Sequence, residues 1–157
     1  MTVVANSVRD LWFLNTWVTI RVPGEAGQDN ISILEHRAPY GDSPPLHIHH
    51  SEDEIFHVLE GEFYFRIGSE EHRLSAGDIL LAPRGIPHQY LIESAGGGRW
   101  LTITTPGDFE HFVRLTGRPA EQAELPAPAG PPTPEAAAML GQAAAECGIE
   151  IVGPPLH

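Results

Sequence analysis

Two histidines one residue apart, His47 and His49, are the first feature of this sequence that could do chemistry. On a strand, residues two apart point to the same face, so both imidazoles project together, close enough to share one ion. Glu54 follows five residues after His49, beyond the polar stretch His50-Ser51-Glu52-Asp53. That stretch can turn the chain so that a second strand returns beside the first. His88 opens a later strand, just past the turn Pro83-Arg84-Gly85-Ile86-Pro87. Three neutral imidazoles and one carboxylate suit a divalent transition metal. The donor set does not choose among iron, manganese, nickel, cobalt and zinc.

The other histidines read more plainly. His50 directly follows His49, so a regular strand turns it to the other face and to the surface. His57 is three residues past Glu54 and falls on the opposite face of that strand. His72, among Glu70, Glu71 and Arg73, reads as an exposed hairpin residue. His36, His111 and His157 carry no spacing argument.

The elements that must position these groups are short strands. Leu11 to Ile20 is rich in aromatic and β-branched residues and reads as one strand or two. Ile31–Arg37, Leu46–His50, Glu54–Glu60, Glu62–Ile67, Glu70–Ser75, Ile79–Ala82, His88–Ile92 and Arg99–Thr105 follow, separated by Gly, Pro, Asp and Ser turns. With no long helix between them, this is an antiparallel sandwich or barrel. Phe63, Phe65 and Ile67 alternate with polar neighbours and point inward. Phe56 shares a face with Glu54, and Tyr90 and Ile92 share one with His88. Phe56, Phe63, Phe65, Tyr90 and Ile92 are therefore the expected walls of an apolar pocket. After Pro106-Gly107, Asp108 is expected to cap a helix from Phe109 to Thr116, with Phe109, Phe112 and Val113 packed over the barrel or its mouth. A Pro-rich arm leads to a second helix, with Thr133 at its N-cap, Pro134 at its first position and Gly148 as its stop.

Composition bounds the rest. The chain has 157 residues, 41% of them hydrophobic, and a formal charge of -12. All nine basic residues are arginine, which excludes Schiff-base chemistry and a P-loop lysine. The acidity argues against nucleic acid and anionic membranes as partners. The lone Cys147 allows neither an internal disulfide nor a Cys-rich metal site. Met1 to Asp10 is mixed and polar and does not read as a targeting signal, and the run to Ile20 is too short and polar to cross a bilayer. The expectation is a soluble, cytoplasmic protein.

At these residues the sequence resembles the cupin superfamily. One family motif is met by Gly41, His47, His49, Glu54 and Gly61, with every spacing kept. The other is met by Gly77, Pro83, Gly85 and His88, with Ile92 in place of a final Asn. The resemblance implies an all-β fold: a single cupin β-barrel (a double-stranded β-helix, or jelly roll) with short C-terminal helices. One domain would cover residues 1–157, with the barrel at about 11–105 and the helix, arm and C-terminal helix at 106–157. It also implies His47, His49, Glu54 and His88 as ligands of one divalent metal, with Glu54 either a ligand or a general base. The implied activity is similar to that of quercetin dioxygenase, on an aromatic or enolisable small molecule bearing oxygen. The alternatives are a metal-dependent polyketide-type cyclase or isomerase, or a non-catalytic metal- or ligand-binding cupin. A homodimer is expected, formed by barrel strands with the N-terminal strand contributing.

Overall fold

The computed structural model describes residues 10–157. The stretch to residue 9, part of the segment read as lacking a targeting signal, lies outside the described residues. The described residues form twelve strands and two α-helices: β1 (Asp10–Phe13), β2 (Thr16–Val22), β3 (Ser32–Ala38), β4 (Leu46–His49), β5 (Asp53–Glu60), β6 (Phe63–Ile67), β7 (Glu70–Leu74), β8 (Ile79–Ala82), β9 (His88–Ile92), β10 (Gly98–Thr105), α1 (Asp108–Thr116), β11 (Arg118–Pro119), α2 (Pro134–Glu146) and β12 (Ile149–Gly153). Two antiparallel sheets face each other. One has seven strands in the order β11-β1-β2-β3-β10-β5-β8, and the other has five in the order β12-β4-β9-β6-β7. This is the all-β jelly roll expected. Among the described residues, no helix is long and apolar enough to cross a membrane.

Alternation decides what fills the barrel. Phe56 and Val58 from β5, Phe63 and Phe65 from β6, Tyr90 and Ile92 from β9, and Trp100 from β10 are all buried in one core. A second core joins Phe13, Val18, Ile20 and Leu34 to Phe112, Val113, Ala144, Cys147 and Ile149. The helices are thus extensions of the barrel interior. Turn glycines set the register: Gly61 (φ 95°) and Gly85 (φ 81°) occupy the left-handed region. At Gly61 a Cβ would also lie 2.5 Å from the carbonyl oxygen of Gly97, so only glycine fits.

One expectation is corrected. Asp108 does not cap α1; it is the first helical residue, Gly107 precedes it, and its N–H is satisfied by Glu52 from the β4–β5 turn. The outer edge of the N-terminal strand is paired within the chain, by β11 on β1. The Pro-rich arm also lies back there, with Trp12 Nε1 donating to the Glu124 carbonyl at 2.8 Å. Helix α2 leans on Leu140, Ala143 and Ala144, while Met139 is 71% exposed. The apolar tail after α2 packs on the barrel as β12, pairing with β4 and placing Ile149 opposite His49 and Ile151 opposite His47. Thr133 caps α2 as expected, accepting from the Ala136 N–H at 3.1 Å.

Candidate metal centre

Strands β4, β5 and β9 deliver four side chains to one point. His47 and His49 share a face of β4, Glu54 starts the inward row of β5, and His88 lies opposite His47 in the β4–β9 pairing. One ligand-type atom from each of His47, His49, Glu54 and His88 lies within 4.8 Å of all the others. His49, Glu54 and His88 are almost fully buried.

The imidazole orientations are set from outside the cluster. Nδ1 of His47 is 2.7 Å from the Pro45 carbonyl oxygen. Nδ1 of His49 is 2.8 Å from Glu52 Oε1, and Nδ1 of His88 is 3.4 Å from the Ile86 carbonyl oxygen. Each partner is an acceptor, which places a proton on Nδ1 and turns Nε2 inward. Nε2 of His49 and of His88 reach the same Glu54 oxygen, Oε2, at 3.0 and 2.9 Å. The His49 contact lacks hydrogen-bond alignment, leaving its Nε2 a buried atom without a hydrogen-bond partner. Converging nitrogens with one left unpaired are what a cation fits, so this cluster could bind a metal.

The charges in the cluster act strongly on one another. Burial, then the like charges of His88 and His49, hold His47 down to about 3. Burial works against a charged His49 too, but the Glu54 and Glu52 carboxylates outweigh it and raise its imidazole to about 10. Burial alone would raise Glu54; His49 and His88 reverse this and hold it well below the usual carboxylate range.

The cluster forms part of the wall of a cavity of about 80 Å³. Phe13, Phe56, Tyr90, Trp100, Phe109 and Phe112 supply most of the apolar lining. Phe56 and Tyr90 are where the sequence puts them. Phe63, Phe65 and Ile92 are not: they are fully buried in the barrel core and do not line the cavity. They do point inward, but further along the barrel axis, where Phe63 packs edge-on against Trp100 with ring centroids 5.2 Å apart. His50 and His72 are surface residues paired with Glu150 and Glu70. His57 is half-buried on the outer face, and His111 and His157 are exposed.

Three residues of the site had no clear sequence signal. Glu52 sits in a stretch read as a polar turn, yet it is 1% exposed. Its two oxygens bind the His49 ring and the first N–H of α1. Asp42, in a loop defined by composition, reaches the cavity, where burial raises its carboxyl to about 6. His36, on β3, is 3% exposed and lines the same cavity. Its inward alternation with Leu34 and Ala38 was the available signal.

With this geometry in view, the similarities to known proteins can be placed. The family described as Cupin domain matches residues 34–104, which span all four clustered residues. The chain carries a cupin domain. This cupin is 31% identical over 108 residues to quercetin 2,3-dioxygenase of Bacillus subtilis, across 69% of the chain and 32% of that protein. It is 39% identical over 62 residues to the HTH-type transcriptional regulator PuuR of Escherichia coli, across 40% of the chain and 34% of the regulator. The chain thus spans about a third of the length of both relatives. Among solved structures, a predicted oxalate decarboxylase from Thermotoga maritima superposes with a TM-score of 0.60 at 21% identity, over 67% of this cupin and 98% of that chain. The shared element is the fold, and it serves different functions.

Removing Glu52 separates the positioning role from surface pairing. Glu52→Ala leaves the buried His49 Nδ1–H unpaired and removes an acceptor from the Asp108 N–H, and urea unfolding should show a loss of about 1–3 kcal/mol. Glu150→Ala, which frees only the exposed His50, should leave stability unchanged. Equal stabilities for both variants would contradict the assignment.

Proposed function

We propose that this cupin is a metal-dependent dioxygenase similar to quercetin dioxygenase, acting on an aromatic or enolisable small molecule bearing oxygen. The observation that carries the reading is the buried convergence of His47, His49, Glu54 and His88, the first three of them in the wall of an aromatic-lined cavity. The likeness to quercetin 2,3-dioxygenase supports it.

His47, His49, Glu54 and His88 would hold one divalent transition metal. When bound, it would supply Lewis-acid polarisation of a substrate hydroxyl or keto-enol oxygen. Glu54 touches both His49 and His88 and is held ionised by them. In the alternative role, off the metal, its carboxylate would accept the proton lost by that oxygen as a general base. Phe56, Phe109 and Phe112 exclude water from the same space, which strengthens every charge interaction inside it. The cavity is about half the size of the ~150 Å³ apolar cavity that accommodates benzene. The oxygen-bearing end of a substrate, with the hydroxyls it carries, therefore enters. The bulk stays at the mouth, marked by the partly exposed lining residues Leu14, Ser43, Pro44 and Leu140.

Assembly is part of the same proposal. On the outer face of the seven-stranded sheet, Ile33, Ile103, Ile55 and Leu81 form one cross-strand row that ends at β8. Leu81 and Ile79 there are 51% and 64% exposed. This row is the main surface a second copy would use in a homodimer, with the N-terminal strand contributing.

Metal analysis tests the site. His49→Ala and His88→Ala should lose most bound metal, while His50→Ala and His72→Ala keep it; loss in His50→Ala would contradict the ligand set. Oxygen uptake with flavonol and other enolisable aromatic substrates should depend on that metal. Turnover without oxygen consumption would favour a cyclase or isomerase built on the same four residues. Light scattering at micromolar concentration should give about twice 17.1 kDa, falling to the single-chain mass in Leu81→Glu. A single-chain mass for the unaltered protein would overturn the dimer.

A further inference from the structure

Among the described residues, four buried side-chain atoms have no hydrogen-bond partner: Glu35 Oε2, His36 Nε2, His49 Nε2 and Trp100 Nε1. Leaving such an atom unpaired is unfavourable, so each one needs an explanation. Glu35 Oε2 has one in its ion pair with Arg37, at 2.9 Å. His49 Nε2 belongs to the four-residue cluster. The remaining two are neighbours: His36 and Trp100 are opposite each other in the β3–β10 pairing, and their rings stack at 4.9 Å and 10°. Both line the cavity that holds the cluster.

We propose that His36, with Trp100 beside it, is a second polar anchor in this cavity, binding a hydroxyl of the substrate apart from the oxygen held at the four-residue cluster. The inference rests on the function proposed above and narrows its substrate class to molecules with a metal-binding oxygen and a further hydroxyl.

Three features make His36 suited to this. Its ring is held between Trp100 on one side and Phe109 on the other, the latter at 5.8 Å and 19°, so its orientation is set before any ligand arrives. Burial lowers its imidazole to about 4, against the opposing charge of Glu54, so the ring stays neutral near pH 7. A neutral imidazole has one donor and one acceptor nitrogen, and a hydroxyl both donates and accepts. Trp100 Nε1 offers a donor only, which suits an oxygen as well. His36 is not one of the clustered ligands, so its role separates from metal retention.

The test compares two matched pairs of chelators on zinc-loaded protein. Kojic acid and allomaltol bind metals through the same keto-enol oxygens and differ by one hydroxyl. Quercetin and 3-hydroxyflavone share a chelating edge and differ in their further hydroxyls. The unaltered protein should bind the more hydroxylated member of at least one pair about tenfold more tightly, as one net hydrogen bond implies. His36→Phe keeps the stacked ring and removes the polar atom. It should erase that preference while metal content and affinity for the poorer member stay unchanged, with a melting temperature no lower than that of the unaltered protein. Nitrogen NMR of labelled histidine in the unaltered protein gives a reading independent of the variant. The His36 Nε2 resonance should shift with the preferred chelator and not with its partner. No preference in either pair, a preference that survives His36→Phe, or an unmoved resonance would overturn the proposal. If no chelator binds the zinc-loaded protein, the proposed function fails and this anchor fails with it; if all bind without discrimination, only the anchor fails.

Discussion

Burying three imidazoles against a carboxylate is unfavourable unless each polar atom has a partner, and that constraint organises this molecule. His49, Glu54 and His88 are no more than 2% exposed, and desolvation at such depth is worth several kcal/mol per unpaired charge. The fold answers by fixing the outer nitrogen of every ring to an acceptor from its own neighbourhood: the Pro45 carbonyl, the Glu52 carboxylate and the Ile86 carbonyl. The inner nitrogens of His49 and His88 both face a single oxygen of Glu54. His49 Nε2 is left without a hydrogen-bond partner, a deficit that a cation would resolve.

The surrounding architecture follows from holding that arrangement. The cluster lies where two apolar cores meet. Trp100 belongs to the barrel core, and Phe109 packs against the core made with the helices. Glu52 links the two by binding His49 with one oxygen and the start of α1 with the other. Strand β12 then covers β4 on its far side. The C-terminal segment also reaches β9, where Gln89 donates to the carbonyls of Pro44 and Pro154. The post-barrel segment is thus part of the wall around the site.

Much of this was legible because strand alternation is a local rule. It placed His47 with His49, Glu54 with Phe56, and His50 on the surface without reference to any distant residue. What alternation does not give is height along the barrel axis. Phe65 and Phe56 both point inward, yet only Phe56 meets the cavity, because pairing register between distant strands sets their levels. Alternation turns His36 inward with Leu34 and Ala38 but does not give its role, which comes from Trp100 and Phe109, far along the chain. Glu52 was hidden by composition, since a buried carboxylate that orients a ring looks like any other acid in a polar turn. The pairing of β12 with β4, which brings Ile149 and Ile151 into the cavity wall, was equally non-local.

The central claim is that His47, His49, Glu54 and His88 bind one metal through the inward nitrogens and the carboxylate. X-ray absorption on the metal-loaded protein tests this directly, since it reads ligand type and number at the ion. The account predicts one metal per chain with a shell containing three imidazole nitrogens at about 2.0–2.2 Å. A shell of water and carboxylate oxygens with fewer than two imidazoles, or no stoichiometric metal at all, would contradict it.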